Sequence, residues 1–175
     1  MKKSSGYQHI THESIPPFIN SDSEVLILGS LPSIKTREVG FFYGHPQNRF
    51  YKVLASIFNE DIPLTVEDKK AFLDKHNIAL YDVIYECDII GSSDSSIKNP
   101  IPINITDILG RYPNIKSIIL NGGLAKKLFD KYLLKDVSPN IKIYYCSSTS
   151  PANAKMKVDD LTKEYKAALQ QVVTL

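Results

Sequence analysis

The sequence predicts an α/β fold: a three-layer α/β/α sandwich around a central, mainly parallel sheet of four strands. Two features of the chain carry this. Four short, nearly continuous apolar runs recur along it, and amphipathic helical patterns lie between them. Runs without polar alternation suit strands covered on both faces, as in parallel sheets, and strands alternating with helices imply crossover connections. Length supports the same reading, because 175 residues match one domain with a sizeable core. Residues 1–175 are therefore expected to form a single domain.

The apolar runs are residues 24–28 (EVLIL), 78–84 (IALYDVI), 116–120 (KSIIL) and 142–146 (KIYYC). Helices are expected at 48–58, where Phe50, Tyr51, Leu54 and Phe58 fall at helical spacing, and at 66–76. Two more are expected at 123–134, around Leu124, Leu128 and Leu133, and at 157–173, around Leu161, Tyr165, Ala168 and Val172. Residues 1–20 read as a leading arm directed by Pro16-Pro17, and 91–104 (GSSDSSIKNPIPIN) as a polar loop long enough to be functional.

Composition narrows the function classes. A formal net charge of +2 neither demands nor excludes nucleic acid, since a local basic face is enough for a small enzyme. Two cysteines, Cys87 and Cys146, cannot supply an iron–sulfur cluster or a Cys-only zinc site. They are read as reduced and buried at strand ends. His9, His12 and His76 show no metal-ligand spacing with them, so neither metal nor cofactor is expected. No apolar run approaches the roughly 20 residues of a membrane span. Met1-Lys2-Lys3 leads into polar residues rather than a signal-peptide core. An intracellular, non-membrane protein is the expectation.

Ligands of open α/β sheets sit beyond the carboxyl ends of the strands, so the segments that follow the runs carry the chemistry. After the first comes Gly29-Ser30-Leu31-Pro32-Ser33, a tight turn able to expose backbone N–H groups. Then residues 40–50 (GFFYGHPQNRF) place three aromatics in a loop that can stack on a base, with Asn48 where a helix would begin. After the fourth run comes SSTSPANA, whose hydroxyls and amides can hold a phosphate. Taken singly, each has a plain structural reading: a strand-exit turn, a hydrophobic cluster with a helix cap at Asn48, and a Ser/Thr/Pro turn.

In combination they resemble the uracil-DNA glycosylase superfamily, in particular its mismatch-specific and hypoxanthine (deoxyinosine) DNA glycosylase branches. GSLPS, GFFYGHPQNRFYKVL, NIALYDVI with GSSDSSI, SIILNGG and SSTSPANA fall in family order, from about Ser14 to the last helix. HPxNRF and STSPAN are the most specific elements. The resemblance implies a monofunctional enzyme that flips a nucleotide out of DNA and hydrolyses its N-glycosidic bond, a base-excision repair step. Its partner would be DNA containing a deaminated base, and it would act as a monomer.

Residue by residue, the resemblance implies base stacking by Tyr43 and places Gly29 and Ser30 beside the base pocket. The water-positioning Asp or Asn of most members falls on Leu31, which cannot hold a water. The hypoxanthine branch shares that loss and relies on the asparagine of HPxNRF, so Asn48 is the expected catalytic residue. Most members carry a base-donating His where this chain has Ser148. Ser148 and Ser150 are assigned to DNA binding, Ser150 on the DNA backbone. Pro151, Ala152 and Asn153 match the loop that fills the gap left by the flipped base. Asn121 is assigned to base recognition, with a turn asparagine as the simpler alternative. His45, Asp82 and Asp94 are further acid or base candidates.

The expected activity is excision of hypoxanthine from deoxyinosine. The alternatives are a uracil or thymine mismatch glycosylase and a non-catalytic lesion-binding module, the latter favoured by Leu31 and Ser148. A nucleotide-binding α/β protein lacks support, because no GxGxxG or GxxxxGK[ST] loop follows the first run.

Overall fold

A computed structural model describes residues 6–173. Its centre is a parallel sheet of four strands, β2 (Val25–Gly29), β3 (Ile78–Asp82), β6 (Ser117–Asn121) and β7 (Lys142–Cys146), in the order β3-β2-β6-β7. Every residue of β2, β3 and β6 is buried, whereas β7, at the sheet edge, is only partly so. The uninterrupted apolar runs are what such double-sided burial demands. Helices flank the sheet: α2 (Phe50–Phe58), α3 (Val66–Lys75), α5 (Gly123–Tyr132) and α6 (Val158–Leu169). Their buried faces carry Phe50, Leu54, Leu73, Phe129, Leu161 and Tyr165. The three-layer architecture expected from the sequence is the one observed.

Three expectations need correction. Residues 78–84 are not one strand. The chain leaves the parallel sheet at Val83 and continues as β4 (Ile84–Ile89), the middle strand of a second, antiparallel sheet of three strands. Val83 and Ile84 resume the apolar run straight after Asp82, so hydrophobicity alone hides the break. The leading arm is not an appendage. It contributes β1 (Gln8–Thr11), paired antiparallel to β4, and then bridges Phe18 to Leu80 on the free edge of β3. Ile10 and Ile15 are buried in the core. A four-residue strand of mixed polarity leaves almost no periodic signal. The second half of the polar loop is strand β5 (Lys98–Pro102). Pro100 and Pro102 lack N–H donors, which fits an edge position in this sheet.

Two short helices were not foreseen. α1 (Ile34–Val39) starts at Ser33, whose hydroxyl accepts the Thr36 N–H at 3.1 Å, and stops at Gly40 in the left-handed region (φ 79°). α4 (Ile105–Arg111) begins where Asn104 Oδ1 accepts the Asp107 N–H at 3.1 Å. Cys87 and Cys146 are free and buried, as expected, but only Cys146 lies at a strand end, Cys87 being inside β4. Burial pushes the Cys146 thiol up to about 12, so it stays neutral. Among the described residues no helix is long and apolar enough to cross a membrane.

Candidate active site

Strand order brings the strand-exit segments together. A cleft of about 770 Å³ is lined by Gly29, Ser30, Tyr43, Asn48, Asn121, Ser148, Ser150, Pro151, Ala152 and Asn153. These are all ten positions assigned from the sequence, drawn from three separate stretches of the chain. Leu31, His45, Asp82 and Asp94 border the same cleft. Gly29, Asp82 and Asn121 close strands β2, β3 and β6, so the cleft lies at the carboxyl edge of the parallel sheet.

A buried polar relay orients Asn48. Thr149, fully buried, donates its hydroxyl to Asn48 Oδ1 at 2.9 Å and accepts Asn121 Nδ2 at 3.1 Å. The Thr149 N–H donates to Asn121 Oδ1 at 3.1 Å, and the Phe50 N–H donates to Asn48 Oδ1 at 2.9 Å. Backbone N–H groups can only donate, so they fix both amides: each oxygen faces a backbone donor. Asn48 Oδ1 thus has both lone pairs engaged, and its NH2 group bonds to no other described residue. Asn48 is a donor toward the cleft. Its bond to the Phe50 N–H spans two residues in the turn just ahead of α2, whose cap position is Arg49 and carries no side-chain cap bond, so Asn48 is not the helix cap that its position in the sequence suggests. Asn121 keeps one N–H and one lone pair uncommitted.

Tyr43 adopts a left-handed backbone (φ 55°) and stacks on Phe50 with ring centroids 4.0 Å apart. Its hydroxyl is enclosed and makes no hydrogen bond. Burial pushes the phenol far above its ordinary range, and the Asp82 carboxylate adds to this.

Gly29 is required by close approach. A Cβ placed on it would lie 2.4 Å from Asp82 Oδ1 and 3.5 Å from the Tyr43 hydroxyl. Asp82 Oδ2, in turn, contacts His12 Nε2 at 2.9 Å.

The loop after β7 is held by Arg49. Its guanidinium donates to the carbonyls of Thr149 (3.3 Å), Ser150 (2.7 Å) and Asn153 (2.9 Å), and also to that of Met156. Gathering several carbonyls around one fixed planar fork is a task suited to arginine. Inside the loop, Ser150 donates its N–H to Ser148 Oγ at 3.1 Å, and Asn153 Nδ2 donates to the Ser148 carbonyl at 3.0 Å. Pro151 and Ala152 remain exposed at the tip. Asn153 folds back into the loop, and Ala154 and Lys155 beyond it are exposed as well.

Among the other candidates, His45 Nδ1 accepts the Gln47 N–H at 3.0 Å, which puts the proton of a neutral ring on Nε2. Asp94 is exposed and opens a short 3-10 turn. Leu31 and Ser148 line the cleft and offer neither a carboxylate nor an imidazole. Sequence reasoning missed three residues: Thr149, Arg49 and His12. The first two lie inside quoted motifs but show their roles only through bonds across about 100 residues. His12 shows its role only through its bond to Asp82, 70 residues away.

Comparisons with known proteins identify the family of the chain. The family model described as the uracil DNA glycosylase superfamily matches residues 16–172. Proteins named hypoxanthine DNA glycosylase from Methanosarcina barkeri and Methanosarcina acetivorans are each 32% identical over 111 residues, 63% of this chain and 70% of theirs. The solution NMR structure of a candidate uracil DNA glycosylase from Methanosarcina acetivorans superposes with a TM-score of 0.78 at 24% identity. It covers 93% of this chain and 98% of that one, and supports the fold. The chain belongs to the uracil DNA glycosylase superfamily.

Proposed function

We propose that this DNA glycosylase hydrolyses the N-glycosidic bond of deoxyinosine and releases hypoxanthine. The observation that carries the reading is the Asn48–Thr149–Asn121 relay, which presents an oriented amide donor to the cleft. The name shared by the two Methanosarcina relatives supports the choice of base.

A target base inside a duplex is out of reach, so the nucleotide must be flipped into the cleft. Tyr43, backed by Phe50, offers an aromatic surface for stacking. As the bond breaks, positive charge grows on the sugar and negative charge on the departing base. Donors fixed in advance stabilise that charge without reorganising. Asn48 fits this role through its NH2 group, either on the base or on the oxygen of the attacking water. With its carbonyl oxygen already engaged twice, it does not act as a proton acceptor. Gly29 and Ser30 border the base, and Asn121 holds the relay at its edge. Ser148 and Ser150 contribute to DNA binding, and Pro151 and Ala152, exposed at the loop tip with Asn153 bracing them, fill the gap in the duplex. The chain works as one glycosylase domain, as a monomer, inside the cell and without a cofactor.

The test uses labelled duplexes carrying one hypoxanthine, uracil, xanthine or mismatched thymine, followed by alkali to cut abasic sites. Cleavage is expected at hypoxanthine above the others, and Asn48→Ala should lower it by about 10²–10³ while binding persists. Preference for uracil or mismatched thymine would move the enzyme to the mismatch branch. Binding without any excision would identify a lesion-binding module.

A further inference from the structure

His12 and Asp82 form a buried pair that no step above uses. The His12 side chain is wholly buried and that of Asp82 is 8% exposed. His12 Nδ1 lies 2.9 Å from the Ile15 carbonyl oxygen, and Nε2 lies 2.9 Å from Asp82 Oδ2. A carbonyl only accepts, so Nδ1 carries a hydrogen. The Nε2–Oδ2 contact must then enclose a proton as well, or two lone pairs would face each other in a buried site. If the proton sits on Nε2, the pair is imidazolium and carboxylate. If it sits on Oδ2, the pair is imidazole and carboxylic acid. Both placements leave Asp82 Oδ1 with lone pairs alone.

Oδ1 is the oxygen that His12 leaves free. It sits against Gly29 and receives no hydrogen bond from any described residue, and Asp82 lines the cleft. His12 cannot easily swing away. Its N–H donates to the Tyr85 carbonyl at 2.9 Å, and its ring packs against Tyr81, Phe42 and Tyr85.

We propose that His12 is a positioning residue that makes Asp82 Oδ1 a permanent acceptor, which reads the ring N–H that deamination creates beside a carbonyl. This rests on the glycosylase reading and deepens it. Adenine presents a bare ring nitrogen, N1, where hypoxanthine presents N1–H, and cytosine and uracil differ in the same way at N3. An acceptor-only atom pairs with the deaminated form and repels the parent base. A carboxyl without His12 can place its proton on Oδ1 and become a donor, which suits the parent base instead. Specificity then comes from denying one hydrogen-bonding state to a single atom.

The test measures binding to duplexes containing 2′-fluoro-deoxyinosine or 2′-fluoro-deoxyadenosine, in which the electron-withdrawing fluorine slows bond cleavage. It compares wild type, His12→Phe, Asp82→Asn and the double variant, each checked for folding by thermal melting. Wild type should prefer the deoxyinosine duplex, and His12→Phe should reduce that preference at least roughly tenfold. Asp82→Asn should keep it, because its NH2 can donate to neutral His12 and leave the oxygen facing the cleft. The double variant should lose it. A long-range ¹H–¹⁵N spectrum of the wild-type imidazole reports the His12–Asp82 proton independently of DNA. An unchanged preference in His12→Phe, an equal loss in Asp82→Asn, or bare Nε2 with no shared proton would each overturn the proposal. Failure of the glycosylase reading looks different: wild type then excises no base from any unmodified duplex, and the inference falls with it.

Discussion

The Thr149 hydroxyl donates to Asn48 Oδ1 at 2.9 Å, across 101 residues of sequence. That bond joins the loop after β7 to the turn ahead of α2, and together with the Phe50 N–H it keeps the Asn48 oxygen engaged and leaves the NH2 for the cleft. Replacing Thr149 by Val keeps the shape and removes the hydroxyl. Asn121 Nδ2 then loses its acceptor and Asn48 loses one of two restraints. Single-turnover excision should slow by roughly tenfold or more, with a stability loss of about 1–3 kcal/mol. Thr149→Ser should recover most of the rate, since it restores the hydroxyl.

Arg49→Lys tests the loop clamp. A lysine ammonium cannot span the carbonyls of Thr149, Ser150, Asn153 and Met156 together. Losing charge-assisted bonds worth about 1.5–3 kcal/mol should loosen residues 147–156. Affinity for abasic-site duplexes should fall by about tenfold, as read by titration, and proteolysis within the loop should quicken.

Gly29→Ala places a methyl group 2.4 Å from Asp82 Oδ1. Either Asp82 turns away or β2 shifts, and urea unfolding should show a loss of about 1–3 kcal/mol. Excision should fall further than stability explains, because the same methyl narrows the cleft floor.

Glu60 gives a pH-dependent contribution to stability. The hydrogen bond from His76 (2.7 Å), followed by the contact from Lys75, holds its carboxyl below the usual carboxylate range. A lowered folded pKa means stability that is present above the unfolded value, about 4.3, and lost as pH falls through the folded value. The melting temperature should therefore drop as the pH is lowered below that range, and Glu60→Gln should flatten this part of the curve.

The parallel sheet was legible because its strands are covered on both faces, which forces apolar runs into the sequence. The antiparallel sheet was not. β1 and β5 are short, partly exposed and, in β5, carry two prolines, so neither periodicity nor composition marks them as strands. The site was legible as a set of segments, because strand-exit positions of such a sheet converge on one edge and the motifs follow family order. Their hydrogen-bonding partners were not legible.

By itself, the sequence determined the layered α/β architecture, the superfamily and the ten residues that border the cleft. Only the tertiary structure decided what those residues offer a ligand. An asparagine can donate or accept, and an aspartate can be bare or protonated. Partners far away in the chain complete the choice: Thr149 for Asn48, together with the neighbouring Phe50 N–H, and His12 for Asp82. Residue identity sets which hydrogen bonds are available, and packing sets which of them point into the cleft.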